Sequence, residues 1–329
     1  MAYELSDRFS TEGNGTTILP VAYAKHVIDT LPAYANFWVP FVAKGQEFQV
    51  FNSGQGLNWK IAILEDVDPS ASALASGTAV STTDSSNFST ASGTIAEYSQ
   101  GEFIENFQDW SSNFNTVSLA AAKWYRTAVM SRNKIIGDKL ASVDDAVSFA
   151  CDDNGDTIQG SAYTGSVTYI KPANIRAIRS WLMRTGQAPF DNGKFAICGP
   201  PGAFDALKSQ SEYYSSAAEL GLPDFFMTGE VKTYGGFMFF EEPGKNRSTT
   251  YNTVGTVGTH AGVSLVLTKN CVVGGDTVND AGLIKMYSDI EEDFGRRGKI
   301  GYIFKAGYGF TVSTGTASRV FKLFSQHSG

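Results

Sequence analysis

Residues 116–142 read TVSLAAAKWYRTAVMSRNKIIGDKLAS. Val117, Ala120, Ala121, Trp124, Ala128 and Ile135 recur at helical spacing. Tyr125, Val129, Ile136 and Leu140 form an adjacent stripe. Together they predict one long helix with a broad apolar face. Between the stripes lie Lys123, Arg126, Arg132, Lys134 and Lys139 against the single acid Asp138. Two readings of those cations stand side by side: solvated charges of an amphipathic helix, or a docking surface for something acidic.

Something acidic precedes them. From Lys60 to Lys123 no lysine or arginine occurs between the two end residues, while Glu65, Asp66, Asp68, Asp84, Glu97, Glu102, Glu105 and Asp109 do. The chain's formal charge of −7 therefore resides in about a fifth of its 329 residues. A segment of one sign repels itself, so it stays ordered only against a less acidic surface, in the same chain or in a neighbour. Within it, 13 of the 25 residues from Ser70 to Thr94 are Ser or Thr, with Leu74, Val80 and Phe88 the only large apolar ones. Such a stretch cannot build its own core. It is either a disordered linker or an extended hairpin arm that orders on a neighbouring subunit. Leu57, Trp59, Ile61 and Ile63 alternate before it, and Phe103, Phe107, Trp110 and Phe114 follow it. Those strand-like flanks favour the arm.

Toward the N-terminus, residues 1–17 are polar, and Pro20 opens a short helix carrying Ala24, Val27, Ile28 and Leu31, which ends before Pro32. Toward the C-terminus, residues 143–165 read as a polar turn region. Pro172 opens a second helix, with Ile175, Ile178 and Leu182, closing near Gly186. Phe195–Cys198 reads as a short buried strand stopped by Gly199-Pro200-Pro201-Gly202, with a helix expected around 203–209. Strands are expected near 236–240 and 263–267, and Met286 and Tyr287 open a further apolar segment. In 300–312, Ile300, Tyr302, Phe304, Ala306, Tyr308, Phe310 and Val312 occupy every second position. That period is the clearest strand signal in the chain, and 300–312 is read as the strand that closes it.

Composition narrows the function classes. With 42% hydrophobic residues, 23 Phe and 14 Tyr the chain is globular, and 34 glycines favour turns and strands over a helical bundle. No apolar run reaches the length of a membrane span, and the first residues lack the basic-then-apolar pattern of a secretory signal. Cys151, Cys198 and Cys271 are odd in number and widely spaced, which fits a reducing compartment. The acidic balance gives no support for nucleic-acid binding as the main activity.

Chemistry is not apparent. His26, His260 and His327 stand apart from any cysteine pair, and no phosphate-cradling loop or nucleophile elbow occurs. Asp152, Asn154 and Asp156 open like a calcium loop, but Thr157 and Tyr163 stand where that loop needs Gly and Glu. Gly307-Tyr-Gly309 lacks the third glycine of a dinucleotide fingerprint. Glu241-Glu242 and Glu291-Glu292-Asp293 read as solvated faces. The reading is therefore a non-enzymatic protein without cofactor or metal.

The order of parts is an N-terminal arm, a two-way β excursion with a polar tip, one long helix, a mixed α/β region and a long late strand. That order resembles the major capsid proteins of tailed bacteriophages, the HK-ninety-seven-type fold. The second half looks closest to the branch typified by the coat protein of phage N-four. The carrying segments are Phe195-Ala-Ile-Cys-Gly-Pro200, Thr228-Gly-Glu-Val-Lys-Thr-Tyr-Gly-Gly236, and Asp293-Phe-Gly-Arg-Arg-Gly298 ahead of the strand.

The resemblance implies an α+β capsid fold in five parts: an N-terminal arm and short helix (1–44), an extended loop (45–112), a peripheral domain with the spine helix (113–164), an axial domain (165–285), and a return strand with the C-terminus (286–329). It implies self-assembly through hexamers and pentamers into an icosahedral shell in the host cytoplasm. A separate scaffolding protein and a portal would be partners, a decoration protein is an open option, and packaged DNA would be near without strong binding. The alternative is another repetitive virion or surface-layer subunit such as a tail tube protein. Inter-subunit contacts are expected from Glu65, Asp66, Asp68, Glu97, Glu102, Glu105 and Asp109 on the arm, and from Lys123, Arg126, Arg132, Lys134 and Lys139 on the helix.

Overall fold

The computed structural model describes residues 37–42, 58–64, 88–105, 116–143, 147–152, 157–159, 167–200, 202–208, 233–242, 261–276, 287–292, 297–311 and 318–326. The expected N-terminal helix, residues 65–87, Asp109, Val312 and the three histidines lie outside them.

The longest strand, Arg297–Phe310, organises one half of the fold. With the strands numbered in chain order it is β12. The others are β1 (Asn58–Leu64), β2 (Phe88–Thr94), β3 (Ala96–Glu105), β4 (Ser148–Ala150), β5 (Ile158–Gln159), β6 (Phe195–Gly199), β7 (Thr233–Tyr234), β8 (Phe237–Glu241), β9 (Ala261–Leu267), β10 (Val272–Asp276), β11 (Tyr287–Glu292) and β13 (Val320–Gln326). One edge of β12 pairs with β3 from Arg297↔Glu105 to Ala306↔Ala96. The opposite edge pairs with β11 and β10. Its alternation is realised as expected: Ile300, Tyr302, Phe304, Ala306 and Tyr308 are buried on one face.

The long helix α1 (Thr116–Ala141) supplies the cover for that face. Ala120, Trp124, Ala128, Ile136 and Leu140 share a core with the buried β12 residues. Tyr302 packs between Trp124 and Phe304 at ring-centroid distances of 6.1 and 5.7 Å, and its hydroxyl hydrogen-bonds with Ser131 at 2.8 Å. Two expectations about the helix fail. Tyr125 is 55% exposed, and Arg132 is only 5% exposed, so Arg132 lies inside the fold and not on a docking face.

The other half is a seven-stranded sheet in the order β5-β4-β13-β9-β6-β8-β7. Helix α2 (Pro172–Arg184) covers one face through Ile175, Ile178 and Leu182, against Phe195, Ile197, Phe237, Val266, Phe321 and Leu323. Pro172 begins α2 because its missing N–H falls where no helical partner exists. Asn174 Oδ1 accepts the Lys171 N–H at 3.0 Å. The helix closes at Gly186, whose φ of 72° any other residue would adopt at a cost. A one-turn helix, α3 (Asp205–Lys208), follows β6. The opposite sheet face, with Ala196, Cys198, Leu265, Leu267 and Val320, joins the core of α1 and β12. A single apolar layer thus links the two halves.

Two further expectations are corrected. The span 143–165 is not turn alone, because β4 and β5 extend the large sheet from there. The strand at 300–312 does not close the chain; β13 does, inserted between β4 and β9. Its burial alternates from Phe321 to Gln326 but its residue types do not, since Ser325 is buried and Phe324 half-buried, and Val320 is buried on the face opposite Phe321.

The segment 37–42 is held at the junction. Trp38 is fully buried; its backbone N–H donates to Asn133 Oδ1 at 2.6 Å and its indole Nε1 to Glu242 Oε1 at 3.2 Å. Glu242 is 1% exposed, so the Glu241-Glu242 pair is not a solvated face: Glu241 is outside and Glu242 inside.

Candidate functional site

Strands β1 and β2 form an antiparallel hairpin paired from Asn58↔Thr94 to Leu64↔Phe88, with 23 residues joining their far ends. The described stem of the Ser/Thr-rich segment is thus a hairpin. β2 passes through Ile95 directly into β3, so the hairpin and the β12 sheet are one continuous ribbon. Trp59 fastens the two. Its ring lies across Gly307 and Gly309 of β12, and a Cβ at either position would approach the indole to 2.9–3.0 Å and the Thr94 or Ser92 carbonyl oxygen to 2.8 Å. The Gly-Tyr-Gly pattern therefore makes room for a backbone and an indole. Trp59 sits with Ala91, Ile95 and Val273 in a small core of its own.

The predicted charged residues divide. Glu102 on β3 meets Lys123 on α1 at 2.6 Å, and Glu97 approaches Lys305 of β12 at 3.8 Å. These are contacts within one chain: the acidic ribbon and the basic helix, expected to meet across subunits, touch first in the same molecule. Both pairs are substantially exposed, so each contributes at most about 1 kcal/mol. Glu105 lies in β3 opposite Arg297 in register. Lys134 is exposed and Arg126 half-buried. Lys139, in the last turn of α1, sits 5.0 Å from the centre of the Phe310 ring. Glu65, Asp66, Asp68 and Asp109 lie outside the described residues.

The opposite face of the β3–β12 ribbon is a shallow trough of about 360 Å³ lined by Gly101, Phe103, Gly301 and Ile303. Phe103 is 58% exposed there. Gly101 and Gly301 face each other in register, and a Cβ on Gly301 would meet the Gln100 carbonyl oxygen. Sequence reasoning passed over this trough. Its signal was one glycine in each of two strands that become partners only in the fold.

Among the described residues no group of His, Cys, Asp or Glu could hold a metal ion. The three cysteines are buried and unbridged, and burial pushes the Cys151 and Cys271 thiols up to about 12, far from a reactive thiolate. Among the described residues no helix is long and apolar enough to cross a membrane.

Solved structures share this arrangement over nearly the whole chain. A chain from the capsid asymmetric unit of cyanophage Pam1 superposes with a TM-score of 0.65 at 13% identity, covering 95% of this chain and 99% of that one. The fold is that of tailed-phage capsid chains. The capsid of Ralstonia phage GP4 gives a TM-score of 0.64 at 10% identity, covering 96% and 97%. That of Helicobacter pylori bacteriophage KHP30 gives 0.60 at 11%, covering 94% and 96%. No protein-family model and no curated protein matches the chain. The HK-ninety-seven-type fold expected from the order of parts is thus the fold observed, and at these identities the likeness is one of architecture.

Proposed function

We propose that this chain is the major capsid protein of a tailed bacteriophage, a structural subunit that assembles with copies of itself into an icosahedral shell around the genome. The observation that carries the reading is a capsid-type fold matched along 94–96% of the chain. In this reading α1 and the β12 sheet form the peripheral part. The seven-stranded sheet with α2 forms the axial part, around which hexamers and pentamers close. Because β4, β5 and β13 belong to that sheet while β10 pairs with β12, the axial part in this reading takes in 148–159 and 320–326 and leaves 272–276 to the peripheral part. The extended loop, 45–112, reaches a neighbouring subunit, and its acidic residues select and steer that contact more than they tighten it. A separate scaffolding protein and a portal complete assembly in the host cytoplasm.

Expression of the chain alone and with the genes beside its own, followed by electron microscopy, tests the proposal. Closed shells or hexameric and pentameric capsomers are expected. Tubes or fibres would favour a tail component, and a monodisperse monomer in both samples would overturn the proposal.

A further inference from the structure

Helix α2 buries Ile175, Ile178 and Leu182 against the large sheet, and the stripe it turns outward is basic. Arg176, Arg179, Ser180, Met183 and Arg184 are exposed there and follow one another at helical spacing. No Asp or Glu occurs from Thr157 to Phe190, while Lys171, Arg176, Arg179 and Arg184 do. That is the reverse of the balance in a chain of net charge −7. A solvated helix face gains from mixed signs, because like charges one turn apart destabilise it. Arg176 and Arg179 stand one turn apart in α2, and no acid on the helix offsets them. The helix dipole accounts for Arg184, in the last turn, and not for the other two. Arg179 is also held in place. Its guanidinium lies over Gly236, in the turn between β7 and β8, where φ is 85° and a Cβ would come within 2.7 Å of Arg179 Nε. The Gly235-Gly236 turn thus makes room for a positioned arginine on an outward face, and a side chain already positioned loses less freedom when it binds.

We infer that this face of α2 binds the phosphate backbone of duplex DNA and is the side of the subunit that meets the enclosed genome. The inference rests on the shell reading above and says which surface of the axial part faces inward. All three cations within α2 are arginines, whose planar fork pairs with two phosphate oxygens at once. Arg176 and Arg184 are about 12 Å apart along the helix axis. A duplex presents about seven phosphate charges over that length. Met183, 58% exposed, is the one large apolar side chain on the stripe, too little for the apolar centre of a protein–protein contact. The acidic balance of the rest of the chain keeps the hold weak and confined to this face, so the subunit lines a genome without condensing on it.

Titration of a short fluorescent DNA duplex with the purified subunit tests the contact. The wild type should bind at low salt and release as salt rises. Arg176→Gln/Arg179→Gln/Arg184→Gln should weaken binding at least tenfold and lower the slope of log affinity against log salt by about 3. Arg176→Lys/Arg179→Lys/Arg184→Lys keeps the charge and should keep most of that slope, which separates a lost contact from a misfolded chain. In particles, peroxide should oxidise Met183 more slowly in DNA-filled shells than in shells emptied of DNA. A wild type that does not bind the duplex, equal binding by the Gln variant, or Met183 oxidised alike in filled and empty shells would overturn the inference. A Gln variant that binds the duplex normally but builds no shells would assign the face to an acidic protein and overturn it equally. Shells that form from chains failing the titration remove this inference alone. Chains that bind the duplex through these arginines yet build no shells remove the shell reading and the inward placement, while the DNA contact stands.

Discussion

Glu102 and Lys123 join strand β3 to helix α1 at 2.6 Å. The contact sits where the acidic ribbon leaves the sheet and the basic helix begins. Its consequence is that part of the segment's one-sign charge is balanced inside the subunit, before any neighbour arrives.

A double-mutant cycle of Glu102→Ala and Lys123→Ala should return a coupling of about 0.2–1 kcal/mol by chemical denaturation at low salt. In 1 M salt the coupling should be largely screened, because both side chains are exposed. A coupling unaffected by salt would mean that the pair acts through packing.

Gly307→Ala should lift the hairpin from the sheet. The new methyl would lie 2.8 Å from the Thr94 carbonyl oxygen and 2.9 Å from Trp59 Nε1, too close on both sides. A cost of about 1–3 kcal/mol is expected. Hydrogen exchange should accelerate in β1 and β2 while β6 and β9 keep their protection. Uniform acceleration would show that the hairpin is not a separable unit.

Glu242→Ala should destabilise the subunit by about 1–3 kcal/mol, because it strips the acceptor from the buried Trp38 indole N–H. Glu242→Gln keeps an oxygen in place and should cost less. Equal losses for the two would point to the charge, and not the hydrogen bond, as what Glu242 supplies.

Cys151 and Cys271 should resist alkylation in the native protein and react once it is unfolded. Burial holds both thiols up to about 12, above their ordinary value of 9.0. The unfolded chain therefore releases their protons first as pH rises. Their contribution to stability is full below about pH 9 and is lost between about pH 9 and 12. Denaturant midpoints measured over that range should fall less steeply for Cys271→Ala than for the wild type.

Local periodicity made some elements legible and not others. In β12 Ile300, Tyr302, Phe304, Ala306 and Tyr308 are buried on one face, so a two-residue period survives in the sequence, and Ala120, Trp124, Ala128, Ile136 and Leu140 preserve the helical period of α1 in the same way. β13 is central in its sheet, with Ser325 on its buried face and Phe324 on its half-buried one, so the sequence does not alternate although the burial does. Val272-Val-Gly-Gly-Asp276 received no assignment from its sequence, yet it is β10 and pairs with β12, with Gly274 close to the backbone at Gly307. The buried charges Arg132 and Glu242 were unreadable for another reason. Glu242 finds Trp38 across 204 positions, and no local pattern encodes that distance. Among the site residues, Glu102 and Lys123 were found by sign asymmetry, which does not specify whether partners lie in one chain or two.

The account stands most directly on a cryo-electron reconstruction of the assembled particle. It predicts a closed icosahedral shell in which the β1–β2 hairpin of every subunit lies over another subunit. Particles that are not closed shells, or a shell whose hairpins pack only on their own subunits, would contradict it.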